Sequence, residues 1–379
     1  MTEQPANEHP PVLELRGVGK RFGTVEAVKK ASIEVHQGEV LTLLGPSGCG
    51  KTTTLRMVIG LERVSSGEIL YEGKVVDGGN GRSFVPPNKR NMGMVFQSYA
   101  IWPHMTVSEN VAYPLNVRRV GRTETRERVA RVLDQVGLTG MGDRQSTMLS
   151  GGQQQRVAVA RSLVFEPNLL LLDEPFSNLD AKLREQMRVE LKELQRRLGI
   201  TVLFVTHDQI EALSLSDRIV VMDHGNVEQV GTPTHLYRNP QTPAVRDFLG
   251  RTVMFTGTVV DSNGVETIPV QLEEEGGPVI RARVTSGSVL RPGERCNVAV
   301  RPEVVDVSRP DGRPTGSGQE LVGTIGAILF VGERYEARVR LPWGQDVQVY
   351  LPASQEWEEG QDVSLEFDGL QAQAWPVAA

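Results

Sequence analysis

The apolar positions change rhythm twice along the chain. Over residues 12–44 they alternate and cluster at strand spacing, punctuated by Gly17, Gly19, Gly23 and Gly38. The run Val40-Leu41-Thr42-Leu43-Leu44 reads as a buried strand, and residues 53–59 read as a helix. Residues 67–97 read as short strands, interrupted by Asp77-Gly78-Gly79-Asn80-Gly81 and by Pro86-Pro87. From 98 to 150 the spacing becomes mainly helical: Val129, Val132, Leu133 and Val136 share a face, and Gly137 is placed to end that helix. A helix is expected over 154–165, stopping before Pro167, then a fully apolar strand over 169–172. Leu183, Met187, Leu191, Leu194 and Leu198 mark one face of a long helix closed by Gly199. Residues 200–206 and 219–222 are further strands. Strands alternating with helices in this way predict a mainly parallel α/β sheet with right-handed crossovers.

The second change comes near Pro240-Gln241-Thr242-Pro243. Beyond about residue 252, Val-rich stretches over 253–260, 279–284, 298–307, 323–330, 334–341 and 347–351 are separated by Gly/Pro turns. No long helical pattern remains. This half is expected to be all-β, as one or two small barrels.

The chemistry enters at Gly45-Pro46-Ser47-Gly48-Cys49-Gly50-Lys51-Thr52, which fits G-x-x-x-x-G-K-[ST] without a mismatch. The strand before it and the helix after it supply the context that a phosphate-binding loop needs. Gly45, Gly48 and Gly50 let the backbone N–H groups turn inward on an anion, and the helix adds its positive N-terminal end. Lys51 is expected to neutralise the β/γ-phosphates and the Thr52 hydroxyl to hold Mg²⁺. Leu149-Ser150-Gly151-Gly152-Gln153 opens a second helix, and the Ser150 hydroxyl with the free N–H groups there makes a second anion site. Two anion sites and one nucleotide loop meet either within one chain or between two.

Composition narrows the classes. The chain has 379 residues, enough for two or three domains, and a formal net charge of −6, which favours no nucleic-acid partner. Two cysteines, Cys49 and Cys296, argue against a disulfide framework or a zinc site. The first eight residues are polar, with no apolar leader region, and no apolar run is long enough to span a bilayer. Action at a membrane therefore requires a partner's spans. Cys49 is read first as a small residue that fits the loop; the alternative is a thiol whose pKa the helix end and Lys51 would lower, which predicts sensitivity to alkylation and protection by bound nucleotide.

With Leu170-Leu171-Leu172-Asp173-Glu174-Pro175, Ser177-Asn178-Leu179-Asp180 and His207, these motifs stand in the order of an ABC transporter ATPase subunit, and residues 12–240 resemble that family. Residues 243–379 resemble, more weakly, the OB-like (TOBE) domain of bacterial importer ATPases of the maltose, polyamine and ferric-iron kind, most clearly at Arg301-Pro302-Glu303. The resemblance implies a P-loop ATPase with a RecA-like core over 1–241, a helical subdomain at about 98–155, and an all-β OB-like domain over 242–379. It implies ATP and Mg²⁺ as cofactors, with ATP sandwiched between two copies. Phe22 would stack on adenine, residues 45–52 with Thr53 would hold the phosphates, and Ser150, Gly151, Gly152, Gln153 and Asp180 would act across the dimer. Thr52, Gln97 and Asp173 would serve the metal. Glu174 would be the general base, with Gln97 and His207 at the attacking water and the γ-phosphate. Asn178 stands where the family often has Ala, and little consequence is expected of it. The segment Ser98-Tyr99-Ala100-Ile101-Trp102-Pro103-His104-Met105 is read either as a small core or as a groove for a permease helix. The expected partners are a second copy, transmembrane permeases and, indirectly, a solute-binding protein, at the cytoplasmic face of the inner membrane. The rivals are an exporter ATPase with a sugar-binding β-domain, a non-transport ABC protein, and a non-hydrolysing ATP-binding module. The solute is not encoded in a pocket of this chain; residues 101–107 lean by analogy towards ferric-iron or polyamine systems.

Overall fold

The computed structural model describes residues 10–81, 83–262, 266–272, 277–285, 289–310 and 319–377. The polar N-terminal run read above for its lack of a leader lies outside them. The chain divides into two compact units, Met1–Leu236 and Tyr237–Ala379.

The first unit runs β1 (Leu13–Phe22), β2 (Val25–Val35), β3 (Val40–Leu44), α1 (Lys51–Ile59), β4 (Ser66–Tyr71), β5 (Lys74–Gly78), β6 (Ser83–Phe84) and β7 (Gly93–Val95). It continues with α2 (Val107–Val117), α3 (Arg122–Gln135), α4 (Gly151–Leu163), β8 (Leu169–Asp173), α5 (Ala181–Leu198), β9 (Thr201–Thr206), α6 (Gln209–Leu215), β10 (Arg218–Asp223) and β11 (Asn226–Gly231). A six-stranded sheet has the order β11-β10-β3-β9-β8-β7. Its neighbours from β10 to β7 are parallel, and only β11 pairs antiparallel. A second sheet, β2-β1-β4-β5-β6, is antiparallel.

The continuous apolar runs of β3, β8 and β9 follow from burial on both faces. Alternate residues of these strands enter two different cores. Leu41, Leu43, Leu169, Leu171, Leu203 and Val205 pack with the antiparallel sheet and α1. Val40, Leu170, Leu172, Val202 and Phe204 pack with α2 to α5. α4 begins three residues before the helix expected from sequence, because Ser150 caps it and Gln153 completes a capping box.

Two short helices, α7 (Pro233–Arg238) and α8 (Pro243–Phe248), precede the strands of the second unit. There β12 (Val253–Val259), β13 (Ile268–Leu272), β14 (Val279–Val284) and β15 (Arg295–Val300) form a closed barrel with the C-terminal strand. β16 (Asp306–Ser308), β17 (Gln319–Phe330), β18 (Arg334–Arg340), β19 (Asp346–Pro352) and β20 (Asp362–Phe367) form a sheet of order β16-β20-β17-β18-β19, and β21 (Gln373–Pro376) closes the barrel. The stretch read as one strand over 298–307 is two. A one-turn 3₁₀ helix at Pro302–Val304 breaks it, since proline cannot donate to a ladder.

Candidate active site

The parallel order of the sheet gathers the motifs. β3, β9, β8 and β7 are neighbours, and their carboxyl ends lie side by side, with Leu44 paired to Thr206, Asp173 to Val205 and Val95 to Leu172. The phosphate loop leaves β3, His207 follows β9, Asp173 and Glu174 end β8, and Gln97 lies two residues past β7. Segments about 160 residues apart in sequence thus meet along one edge, the place where parallel α/β sheets bind ligands.

Gly50 has φ +105, and a Cβ there would stand 2.4 Å from the Ala27 carbonyl oxygen. Gly45 is required by proximity alone: its Cβ would stand 2.1 Å from the Met222 carbonyl oxygen on β10. Lys51 is 5% exposed, and its ammonium donates to the carbonyls of Gly45 (2.7 Å) and Pro46 (2.9 Å). Ser47, Gly48 and Thr53 lie in this loop and the first turn of α1. Cys49 is buried at 2% exposure, with its sulfur 3.7 Å from Lys51 Nζ. Burial pushes its thiol up, outweighing the pull of Lys51. Both observations favour the small residue that fits the loop, the first of the two readings of this position, over the reactive thiol.

Thr52 Oγ1 donates to Asp173 Oδ1 at 3.2 Å, and burial raises the Asp173 carboxyl pKa. Among the described residues no group of three or more His, Cys, Asp or Glu side chains could hold a metal by itself. The oxygen donors that are present, the Thr52 hydroxyl and the Asp173 carboxylate, are of the kind that Mg²⁺ takes together with substrate phosphates.

Glu174 has φ 45, a left-handed conformation unusual for a side-chain-bearing residue. Its N–H donates to the Val205 carbonyl at 2.9 Å, and its carboxylate oxygen Oε2 lies 3.0 Å from His207 Nδ1. The general-base candidate and the histidine expected at the γ-phosphate are thus in direct contact. Behind them, the Thr206 hydroxyl donates to the buried Glu211 carboxylate (2.5 Å), and Asp208 caps α6 through the N–H groups of Ile210 and Glu211.

Phe22 ends β1 with 46% exposure, so it is not a core residue, and the Lys20 ammonium lies 4.6 Å from its ring centroid. Ser150 and Gln153 exchange capping-box hydrogen bonds at the start of α4, and Asp180 caps α5 by accepting from the Leu183 N–H at 3.0 Å. Gly151 and Gly152 face the side chains of Leu179 and Leu183, where a Cβ would come within 3.3 and 3.2 Å. Among the described residues no hydrogen bond joins Ser150 to the phosphate loop.

Sequence reasoning missed the contacts that two side chains make at Gln97 and beyond it. The Asn178 side-chain amide donates to the Gln97 carbonyl at 2.7 Å, a contact that the reading of Asn178 from sequence did not include. Arg161 donates to the carbonyls of Tyr99 (2.7 Å) and Ala100 (2.6 Å) and lies 4.7 Å from the Trp102 ring centroid. In the 98–105 segment Tyr99 is buried, whereas Ser98 and Ala100 are exposed. In the second unit, Arg301 donates to the carbonyls of Gly250 and Arg251, and Glu303 accepts from the Tyr237 hydroxyl, so Arg301-Pro302-Glu303 braces that unit.

Residues 28–177 match the ABC transporter family, and residues 298–374 match the TOBE domain. The chain is 46% identical over 329 residues to the Fe(3+) ions import ATP-binding protein FbpC 1 of Rhizobium meliloti, covering 87% of this chain and 88% of that one. This chain belongs to the ABC transporter ATP-binding proteins. It is also 44% identical over 345 residues to the spermidine/putrescine import ATP-binding protein PotA of Nitrosospira multiformis, covering 90% and 91% of the two chains. Among solved structures it resembles cbiO1 of Clostridium perfringens, part of the ABC transporter complex cbiONQ, with 30% identity, TM-score 0.55, and coverage of 60% of this chain and 91% of that one. The family is an ATPase family, and the P-loop α/β fold with a C-terminal TOBE domain is as read from the sequence.

Proposed function

We propose that this protein is a Mg²⁺-dependent ATPase that works as a homodimer, with each copy's Ser150 helix start closing on the ATP held by the other copy's phosphate loop. The chain is the ATP-hydrolysing subunit of an ABC importer. Its place is the cytoplasmic face of the membrane, where it works through permease partners, a reading supported by the import ATP-binding relatives. The observation that carries the reading is the convergence of the phosphate loop, Gln97, Asp173, Glu174 and His207 at the carboxyl ends of adjacent strands.

Lys51 exchanges the Gly45 and Pro46 carbonyls for the β/γ-phosphate oxygens. Thr52 and Asp173, with Gln97 beside them, would hold Mg²⁺, which would supply neutralisation of the charge on the phosphates. Glu174 accepts a proton from the attacking water. His207, held beside it, orients the γ-phosphate, and Phe22 offers its exposed ring to adenine. Ser150, with the N–H groups of Gly151, Gly152 and Gln153, caps the phosphates from the second copy, where Asp180 also faces. The solute reading is ferric iron or a polyamine, supported only by the names of the two import relatives.

The test is Glu174→Gln in the full chain. Phosphate release should fall by ~10²–10⁴-fold, the effect of removing a general base. With ATP the variant should elute as a dimer on sizing chromatography. A monomer at every protein and ATP concentration would reject the sandwich. Uptake by reconstituted vesicles with the adjacent solute-binding protein would decide between iron and polyamine.

A further inference from the structure

The main chain just after Gln97 is held in a conformation its residues disfavour. Tyr99 and Ala100 have φ 59 and 47, consecutive left-handed residues with neither a glycine. Donors from two different elements meet this segment. From α4, Arg161 is 8% exposed and spreads its guanidinium over the Tyr99 and Ala100 carbonyls. From the loop between β8 and α5, Asn178 reaches the Gln97 carbonyl. The segment is therefore braced by the helix that starts at Ser150 and by the turn that ends at Asp180.

We propose that Asn178 and Arg161 are positioning residues for hydrolysis: together they set the backbone of Gln97, so that its amide reaches the metal and water only when α4 and the Ser177–Asp180 turn stand in register. The proposal rests on the reading of Gln97 as a metal and water contact. Its physical basis is the pairing of strain with external donors. A backbone that is unfavourable alone keeps its shape only while its partners hold it, which makes it a natural two-state element. Arg161 suits the role because two separate nitrogens of its rigid planar fork each take one of two successive carbonyls, which fixes their relative orientation more tightly than the single rotating ammonium of a lysine. Asn178 suits it because its amide is a donor at a position where alanine would offer none.

Asn178 is exposed, so its variants test the brace with little risk to folding. Asn178→Ala removes the donor. Asn178→Asp keeps the shape and sets a carboxylate against a carbonyl oxygen. Phosphate release by the full chain is measured against both ATP and Mg²⁺, beside Gln97→Ala as a reference. For Asn178→Ala the expected result is a kcat lower by about three- to ten-fold, the range of one lost hydrogen bond. The Mg²⁺ half-saturation should rise by a similar factor while the KM for ATP stays within about two-fold. Asn178→Asp should be at least as impaired. The Gln97→Ala/Asn178→Ala double variant should be no worse than Gln97→Ala alone. If Gln97→Ala shifts the Mg²⁺ dependence and both Asn178 variants match wild type, the brace is refuted and the Gln97 reading survives. If Gln97→Ala itself leaves the Mg²⁺ dependence unchanged, the Gln97 reading falls and takes the brace with it. A lower melting temperature with unaltered Mg²⁺ dependence would mark Asn178 as structural only and overturn the proposal.

Discussion

Glu211 shows how a residue outside the first reading supports one inside it. Its carboxylate is 3% exposed, accepts from Thr206, and has its pKa raised by desolvation. A carboxyl whose folded pKa lies above its unfolded value binds its proton more tightly when folded. The carboxyl imposes no penalty below about pH 4.5, where both states are protonated, and stability falls as pH rises through the folded value. Glu211→Gln should therefore unfold at higher urea than wild type at pH 8, with the difference vanishing in acid; equal midpoints at pH 8 would refute the desolvation account. Cys49 gives a second expectation at this scale. With the thiol buried and its pKa raised, a short exposure to iodoacetamide at pH 7.5 should leave ATPase activity within about 20% of the control, as for other inert buried cysteines. Mass spectrometry would confirm that Cys49 is unmodified. The phosphate-loop residues, Asp173, Glu174 and His207 were legible as candidates because each motif is local: a few adjacent residues carry the chemistry. Asn178, Arg161 and Glu211 were not, because their meaning lies in contacts with backbone or side chains that no spacing rule reports.

At the scale of elements, Arg90 links α1 to the antiparallel sheet. Its guanidinium, 2% exposed, donates to the carbonyls of Met57 and Val58 in the last turn of α1 and to those of Val85 and Val76. Burial lowers its pKa to about 10, with Asp77 opposing that shift from 3.8 Å. Arg90→Ala would leave four carbonyls and a buried carboxylate short of a partner. The expected loss is about 3–5 kcal/mol in chemical denaturation, the usual result of breaking a buried ionic network. The helix carrying Lys51 is thus fixed at its far end by a side chain from the connection between β6 and β7. Strands of the parallel sheet were readable because burial on both faces leaves unbroken apolar runs. β13, β20 and β21 were missed. β20 buries Ser364 and Glu366 alongside its apolar residues, so its polar positions hide the strand. β21 is four residues long and ends in proline.

For the whole molecule, the hydrophobic cores respect the division into two units. Two clusters lie wholly within Met1–Leu236, and the third lies wholly within Tyr237–Ala379. Separate cores predict separate cooperative transitions in calorimetry. A non-hydrolysable ATP analogue with Mg²⁺ should move the transition of the first unit alone. At 100 times its Kd the gain is about 2.7 kcal/mol for that unit. A single transition shifted as one would contradict this. Both units were visible in the sequence as a change in rhythm, since helix and strand periods differ. The strand count of the second unit was not, because several of its strands carry polar residues on both faces.

The order of the parallel sheet also bears on how the chain is made. β3 lies between β9 and β10, which follow it by more than 150 residues. At ribosomal speeds of about 5–20 residues per second, the strand that carries the phosphate loop waits roughly 8–30 s for its neighbours. During that interval both of its hydrogen-bonding edges are open, on one of the most apolar segments of the protein. Nascent chains stalled before residue 200 should therefore depend on chaperones and hold no nucleotide, and competence should arrive abruptly once β9 has emerged from the exit tunnel.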